Sequence, residues 1–165
     1  MQTERLYLRE FKLQDAGDLY SLNNDFEVIR YTGDSPFENV KEAEEFVQSY
    51  DHYQKYSFGR WAVLDKKTNS FLGWCGLKYS PNLNEHDIGF RFFKKHWNKG
   101  YATEAAKFCI KLGFEKYNLE TIVGRAMKQN QASIKVLEKL GMTFKKDFTF
   151  DNQKGVIYQI TNHSI

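Results

Sequence analysis

Residues 96–105 constrain the fold of this chain more than any other stretch, and they read His-Trp-Asn-Lys-Gly-Tyr-Ala-Thr-Glu-Ala. They join a predicted strand, Asp87 to Phe93, to a predicted helix that begins at Ala102. The first N–H groups of a helix have no intrahelical acceptor and lie at the positive end of the helix dipole. A glycine before the helix lets an anion approach the backbone closely. The stretch therefore predicts a phosphate site, although a plain glycine loop before a surface helix fits the same pattern.

The helix prediction rests on one face of small and apolar side chains at helical spacing. These side chains are Ala102, Ala105, Ala106, Cys109, Ile110 and Gly113. The loop before them lacks the Gly-Lys-Ser/Thr of a P-loop, and only Gly100 matches a glycine of the dinucleotide-binding fingerprint. We therefore expect an anion site of another kind.

Composition limits the classes of partner. A length of 165 residues predicts a single domain over residues 1–165. The 24 basic and 21 acidic residues are interspersed and leave a net charge of only +3, which argues against a nucleic-acid stripe or a polybasic membrane anchor. The N-terminus lacks the apolar core of a signal peptide, and no run could span a bilayer, so we expect a cytoplasmic protein.

Cysteine and histidine usage predicts neither a disulfide framework nor a metal site. Cys75 and Cys109 both stand in apolar surroundings, which favours core packing. The histidines are scattered without the spacing of metal ligands: His52, His86, His96 and His163.

Periodicity along the chain predicts a strand, two or three helices, three strands, a helix, a strand, a helix and two strands, which is an α/β layer domain with a mixed sheet. Asn39 and Glu42 have the spacing of a capping box, and Gly141 is a helix stop. The predicted strands are Arg5 to Phe11, Phe58 to Leu64, Phe71 to Lys78, Asp87 to Phe93, Thr121 to Ala126, Met142 to Phe150 and Val156 to Thr161. The predicted helices run through Ala16 to Asn23, from Val40 to about His52, from Ala102 onward, and from about Gln131 to Leu140.

Four collinear segments resemble one known family. They are Thr3 to Arg9, Ile88 to Phe90, Trp97 to Ala105, and Asn130 to Ser133 with the following Val136 to Met142. Together they resemble the GNAT acetyltransferases, and most of all the branch of ribosomal-protein N-terminal acetyltransferases (RimJ/RimL-like), which typically shows Trp-x-x-Gly-Tyr-Ala-x-Glu-Ala. The resemblance implies a mixed, mostly antiparallel sheet, flanked by helices and splayed between its fourth and fifth strands.

The resemblance also implies where acetyl-CoA is held. Its phosphates would lie on the loop from Asn98 to Thr103, and its pantetheine arm would add like a strand to the backbone of Arg91 to Phe93. Asn130 and Ser133 would contact it from the next helix, although helix capping is the alternative for both. The expected cofactor positions are Arg91, Phe92, Phe93, Asn98, Lys99, Gly100, Tyr101, Ala102, Thr103, Asn130 and Ser133.

The two expected catalytic positions depart from the family pattern. Asp87 aligns with a glutamate that serves as general base in some members, but an aspartate is shorter, so a carboxylate on the solvent face of the strand is the favoured interpretation. Many members carry a tyrosine as the acid for the leaving thiolate at the position of Leu137. Ser133 is the nearest replacement.

The resemblance predicts an N-acetyltransferase that moves the acetyl group of acetyl-CoA onto a primary amine. A protein N-terminal α-amino group is favoured and a small amine is the other acceptor class, because an α-amino group has a pKa near 8 and lysine one near 10.4. The alternative is a CoA-binding regulatory or interaction module without turnover. The acceptor would lie between residues 26–37 and the closing hairpin, and homodimerisation is left open.

Overall fold

A seven-stranded sheet organises the computed structural model, which describes residues 1–150 and 152–162. The strand order is β1-β2-β3-β4-β5-β7-β6, and every neighbouring pair is antiparallel except β4 and β5. The strands are β1 (Leu6–Arg9), β2 (Arg60–Asp65), β3 (Phe71–Ser80), β4 (Glu85–Phe92), β5 (Thr121–Met127), β6 (Thr143–Phe150) and β7 (Gln153–Thr161). Asp151, in the predicted turn of the last hairpin, lies outside the described residues.

Four helices precede β2, where the pattern predicts two or three. Within residues 1–150 and 152–162 the α-helices are α1 (Ala16–Asn23), α2 (Phe26–Ile29), α3 (Val40–Ser49), α4 (His52–Tyr56), α5 (Tyr101–Glu115) and α6 (Gln131–Lys139). The helix predicted from Val40 to about His52 is confirmed as far as Ser49. Its predicted end is wrong, because the backbone is extended at Tyr50 and a second helix begins at His52. Helices α2 and α4 are too short to produce a helical repeat in the sequence.

The predicted capping signals are confirmed in part. Asn39 Oδ1 accepts the N–H of Glu42 at 3.1 Å and so begins α3. The Glu42 carboxylate accepts the N–H of Glu38 at 2.6 Å rather than that of Asn39, so the capping box is not closed. Gly141 ends α6 in the left-handed region with φ +78°, as expected.

The sheet carries a hydrophobic core on each face. The larger core lies under α5 and α6 and includes Ile88, Phe92, Ala105, Cys109, Ile122 and Leu137. The smaller core, next to α1 and α2, includes Leu19, Leu22, Val28, Ala62, Leu64 and Phe71. Cys75 and Cys109 are fully buried in the larger core as free thiols, in agreement with the packing role expected for them.

The sheet opens between β4 and β5, as the resemblance implies. The two strands are parallel and pair only at Asp87 with Val123 and at Ile88 with Gly124. Beyond Ile88, the remaining residues of β4 diverge from β5 and leave a gap. The last paired residues form the narrow end of this gap, and the loop that follows β4 lies at its wide end.

Two findings concern membranes and metals. Among residues 1–150 and 152–162, no helix is both long and apolar enough to cross a bilayer. No group of three or more His, Cys, Asp or Glu side chains in the same residues could hold a metal ion. His163 lies outside the described part of the chain.

Candidate active site

The loop between β4 and α5 has the backbone of an anion site. Asn98 and Gly100 both take left-handed conformations, with φ +59° and +80°, and Gly100 is the N-cap of α5. The first intrahelical bond joins the N–H of Glu104 to the carbonyl of Gly100 at 3.0 Å. The N–H groups from Tyr101 to Thr103 therefore remain available to a ligand at the helix N-terminus.

Arg5 supports this loop through hydrogen bonds and a ring contact, a role that the sequence alone does not indicate. Its Nη1 donates to the carbonyl of Lys99 at 2.9 Å, and its Cζ lies 4.6 Å from the centre of the Tyr101 ring. Its Nε donates to Glu104 at 2.7 Å. A Cβ on Gly100 would lie 3.3 Å from the Arg5 guanidinium, so the absence of a side chain there keeps the surface of the loop open.

Glu104 ties α5 to the N-terminal segment. Its carboxylate accepts from the Thr3 hydroxyl at 2.5 Å and from the backbone N–H of Arg5 at 2.9 Å. Burial acts to raise the pKa of Glu104, but the hydrogen bonds from Thr3 and Arg5 outweigh it and leave the pKa lowered. All of these partners are structural, which fits a supporting role for Glu104 rather than a catalytic one.

The loop carries a positive field. Lys95 and Lys99 flank it, and Arg5 lies beneath it. Burial lowers the pKa of His96, and the charges of Lys95 and Lys99 lower it further. A group of phosphates placed here would meet positive charge as well as free N–H donors.

Fewer backbone groups of β4 than expected are free to pair with a strand-like ligand. The N–H of Phe93 donates to Leu72 on β3 at 3.1 Å, and its carbonyl accepts from His96 at 2.8 Å. Hydrogen bonding alternates along an antiparallel strand, so Arg91 also directs its backbone groups toward β3. The residues that face the gap are Phe90 and Phe92. The expectation for Arg91 and Phe93 is corrected accordingly.

Trp97 connects the end of β4 to the loop. Its indole Nε1 donates to the carbonyl of Phe92 at 2.8 Å, while the residue remains 39% exposed. This contact gives Trp97 a packing role under the loop. It also occupies one of the acceptor positions on the Phe92 carbonyl, which leaves the Phe92 N–H as the freer group at this edge of the gap.

The N-terminus of α6 lies after β5 and is capped by the predicted pair. Asn130 Oδ1 accepts the N–H of Ser133 at 3.1 Å, so the capping interpretation holds for the Asn130 oxygen. Among residues 1–150 and 152–162, the half-buried Ser133 hydroxyl has no hydrogen-bond partner. Leu137 is 1% exposed, and its side chain fills the space above Gly124, so this position serves the core.

Asp87 lies at the narrow end of the gap, and its side chain is 19% exposed. Its Oδ2 accepts from Arg60 Nη2 at 2.7 Å. Its Oδ1 is buried and has no hydrogen-bond partner among the described residues. The interpretation of Asp87 as a carboxylate on a solvent face is therefore wrong, because β2 contributes an arginine that covers it.

A second ion pair crosses the same face of the sheet. The Arg91 side chain is 9% exposed and donates to Asn23 at the end of α1 and to Asp34 in the α2–α3 loop. Its Cζ lies 5.3 Å from the centre of the Trp74 ring. These contacts attach the α2–α3 loop to β4 alongside the gap.

A cavity of about 400 Å³ opens next to Asp34, between the α2–α3 loop and the β6–β7 hairpin. The hairpin closes over the loop because the Phe150 ring packs on Gly33, where an added Cβ would lie 2.6 Å from the ring. The two segments expected to line the acceptor site therefore meet. The cavity walls include Phe26, Ile29, Arg30, Pro36 and Gln153.

Comparison with known proteins decides the family. Residues 5–143 match the profile described as an acetyltransferase (GNAT) domain. The chain belongs to the GNAT acetyltransferases. As a GNAT protein it is an acetyl-CoA-dependent N-acetyltransferase.

Individual relatives agree with this assignment. The GNAT chain is 33% identical to the uncharacterized N-acetyltransferase p20 of Bacillus licheniformis, over 89% of this chain and 83% of that protein. A solved GNAT acetyltransferase from Bacillus anthracis superposes with a TM-score of 0.86 at 25% identity, covering 99% of this chain and 98% of the other. Spermidine N-acetyltransferase from Vibrio cholerae, solved with CoA and spermine, shares the fold with a TM-score of 0.83 at 20% identity, covering 98% of each chain.

Proposed function

We propose that residues 1–165 form a single cytoplasmic acetyltransferase domain that acetylates the α-amino group of a peptide or protein N-terminus, as the RimJ/RimL-like branch does. One observation carries the proposal: the gap between β4 and β5 has Asp87 at its narrow end and the positive loop from Asn98 to Thr103 at its wide end. An extended thioester donor fits between these two points, with its phosphates on the loop.

The donor would be held by backbone groups more than by side chains. The free N–H groups of Tyr101 to Thr103, with Lys99 and Arg5 nearby, suit the phosphates of acetyl-CoA. The backbone of Phe90 and Phe92 suits the amides of the pantetheine arm, which would then occupy the place that β5 leaves. Asn130 and Ser133 would contact the donor from the start of α6.

We call the surface of the sheet around Asp87, Arg60, Asp34 and Arg91 the acceptor face. The charges on this face favour an acceptor with one amine over a polyamine. The carboxylates that border the gap each have a cationic partner, since Asp87 pairs with Arg60 and Asp34 pairs with Arg91. Glu85 pairs with both Arg125 and Lys145. A polycation gains affinity from carboxylates that lack a partner, and binding here would have to displace arginines.

A small polyamine is the second candidate acceptor. Its support is the fold shared with the spermine-bound spermidine N-acetyltransferase of Vibrio cholerae. The apolar walls of the cavity, formed by Phe26, Ile29 and Pro36, suit the first side chain of a peptide better than an extended chain of charged amines.

The chemistry requires one bond to form and one to break. The neutral amine attacks the acetyl carbonyl carbon, a C–N bond forms, and the C–S bond breaks with its electrons on sulfur. The amine nitrogen loses a proton toward Asp87, directly or through one water, and the thiolate gains a proton. The proton that sulfur gains is the one released by the amine, passed on from Asp87 through solvent. The Ser133 hydroxyl would stabilise the leaving thiolate with a hydrogen bond, because Leu137 has no polar group.

Release of free thiol from acetyl-CoA tests the proposal. The panel would contain peptides with free N-termini, N-blocked peptides with one lysine, and spermidine. Peptides with free N-termini are expected to turn over fastest at pH 7. Tight binding of acetyl-CoA without thiol release on any amine would instead indicate a regulatory or interaction module.

A further inference from the structure

The Arg60 side chain is anchored on the acceptor face by hydrogen bonds to two further strands, and neither the sequence motifs nor the family match assign it a role. It begins β2, and its side chain is 13% exposed. Its Nη1 donates to the carbonyl of Gly76 on β3 and to the carbonyl of Asp87 on β4, the second at 3.2 Å. Its Nη2 donates to Asp87 Oδ2 at 2.7 Å. The guanidinium therefore spans three strands and ends on one carboxylate oxygen.

The backbone of Arg60 is fixed as firmly as its side chain. Its N–H donates to the Tyr50 hydroxyl at 2.7 Å, and its carbonyl accepts from the Tyr53 hydroxyl. Burial raises the pKa of both phenols. The Trp74 ring lies beside the guanidinium, with its centre 5.4 Å from Cζ. Arg60 therefore has little freedom to leave Asp87.

Gly89 makes room for this arrangement. It lies two residues after Asp87 on the same face of β4. A Cβ at Gly89 would lie 2.6 Å from Cζ of Arg60 and 2.7 and 2.8 Å from the two terminal nitrogens. The guanidinium occupies the space that a side chain at this position would need. A single methyl group there would displace Arg60 without changing Arg60 or Asp87 themselves.

One oxygen of the Asp87 carboxylate has no hydrogen-bond partner within the described part of the chain, and this oxygen indicates the role of the contact with Arg60. Arg60 occupies Oδ2 of Asp87, while Oδ1 is buried and lacks a partner among residues 1–150 and 152–162. Leaving a buried carboxylate oxygen without a donor costs free energy, so a ligand that donates a hydrogen bond to it would bind favourably. Asp87 and Ile88 are the residues of β4 that still pair with β5, so the gap begins beside them.

We propose that Arg60 is a positioning residue: it holds the Asp87 carboxylate by Oδ2, so that Oδ1 points to the attacking amine and accepts its proton, directly or through one water. This inference rests on the proposed acetyl transfer and adds to it the residue that orients the base. The proton moves from the amine nitrogen to Asp87 as the C–N bond forms, and Arg60 itself exchanges no proton. Gly89 takes part only through the space it leaves.

The test compares Gly89→Ala with wild type in steady-state acetylation of a peptide with a free N-terminus. Displacement of Arg60 is expected to lower kcat about tenfold, because a misoriented base loses much of its contribution, while the KM for acetyl-CoA changes less than about twofold. Gly17→Ala is the matched control, because nothing lies within 4 Å of an added Cβ there, and its kcat should equal that of wild type. An unchanged kcat in a folded Gly89→Ala enzyme would overturn the inference.

A double-mutant cycle separates positioning from general damage. If Arg60 acts through Asp87, then Gly89→Ala should cause no further loss of kcat in an Asp87→Asn background. An equal fold loss in both backgrounds would contradict the inference. Arg60→Lys and Arg60→Met provide a route that leaves Gly89 intact, and the lysine variant, which keeps a cation, should retain more kcat than the methionine variant.

The outcomes also separate this inference from the proposed function. A wild-type protein that releases no thiol with any amine would overturn both. A wild-type protein that turns over, with Gly89→Ala and Arg60→Met both at the wild-type kcat, would overturn the role of Arg60 alone.

Discussion

The loop that precedes α5 and the acceptor face of the sheet are encoded in opposite ways. The loop is one contiguous run, residues 96–105, which Thr3 and Arg5 of the N-terminal segment contact. The acceptor face is assembled from separate elements: Asn23, Asp34, Arg60, Trp74, Asp87 and Arg91. A contiguous site can be recognised from its spacing, whereas a distributed site becomes visible only when the strands are in register.

The two regions also differ in how they would bind. The loop presents backbone N–H groups and an open glycine, which suit any phosphate of the right size. The acceptor face presents paired charges and an apolar cavity, which discriminate between amines. Changes in the loop should therefore alter acetyl-CoA affinity, and changes on the face should alter turnover and acceptor choice.

Among the substitutions that test the difference between the loop and the acceptor face, Asp87→Asn should have the largest effect. Loss of the proton acceptor is expected to lower kcat about 100-fold or more, because general acid–base groups contribute ~100- to 10,000-fold. Acetyl-CoA affinity, measured by calorimetry, should stay within about twofold of wild type. Asp147→Asn is the control, since Asp147 is exposed and pairs with Lys128. A parallel loss of acetyl-CoA affinity in Asp87→Asn would show that the two regions are not separable.

Gly100→Glu should produce the complementary effect on the loop. The new carboxylate would face the phosphates and weaken acetyl-CoA binding by roughly 10- to 100-fold, as a like charge within a few ångströms does. Gly100→Gln is the matched control, because it has the same size and the same backbone strain at φ +80° without the charge. Equal affinities of the two folded variants for acetyl-CoA in calorimetry would remove the phosphates from this loop.

Ser133→Ala should lower kcat about tenfold if its hydroxyl stabilises the leaving thiolate with a hydrogen bond. The N–H of Ser133 and its cap from Asn130 survive the change, so the fold of α6 should be retained. Ser21→Ala in α1 is the control, since that hydroxyl donates only to the carbonyl of Gly17. Turnover of Ser133→Ala at the wild-type rate would show that this hydroxyl does not stabilise the thiolate.

The smallest expected effect is a shift in the titration of His96. Its pKa lies below the ordinary value because of burial and the charges of Lys95 and Lys99. Phosphates on the loop favour the imidazolium form, so acetyl-CoA should raise the pKa of His96 in a proton NMR titration. Burial also lowers the pKa of His86, which lies at the far end of β4 and should not respond. A shift in the pKa of His86 alone would indicate that the phosphates do not bind at the loop.

Local patterns predict the elements that have strong repeats or caps. Spacing and glycine conformation predict the α5 helix, the helix stop at Gly141 and the succession of strands and helices along the chain. Only the family resemblance predicts the opening of the sheet between β4 and β5, because nothing in the periodicity of either strand shows where pairing ends.

The missed features depend on partners distant in sequence. Asp87 was interpreted as a surface carboxylate because its covering arginine, Arg60, lies 27 positions earlier in the chain. Phe93 was expected to face the gap, and the register with β3 turns its backbone away. One signal was available: Gly89 in a strand indicates the close approach of another group, and that group is the Arg60 guanidinium.

In the proposed reaction, the acceptor face binds an α-amino group and the loop holds the acetyl donor. The most direct test measures acetylation of two matched peptides at pH 7, one with a free N-terminus and no lysine, the other N-blocked with a single lysine. About 10% of an α-amino group of pKa near 8 is neutral at this pH, against below about 0.1% for lysine. The account predicts faster acetylation of the free N-terminus, with the preference shrinking as the pH rises to 9. Faster acetylation of the lysine peptide at pH 7 would contradict it.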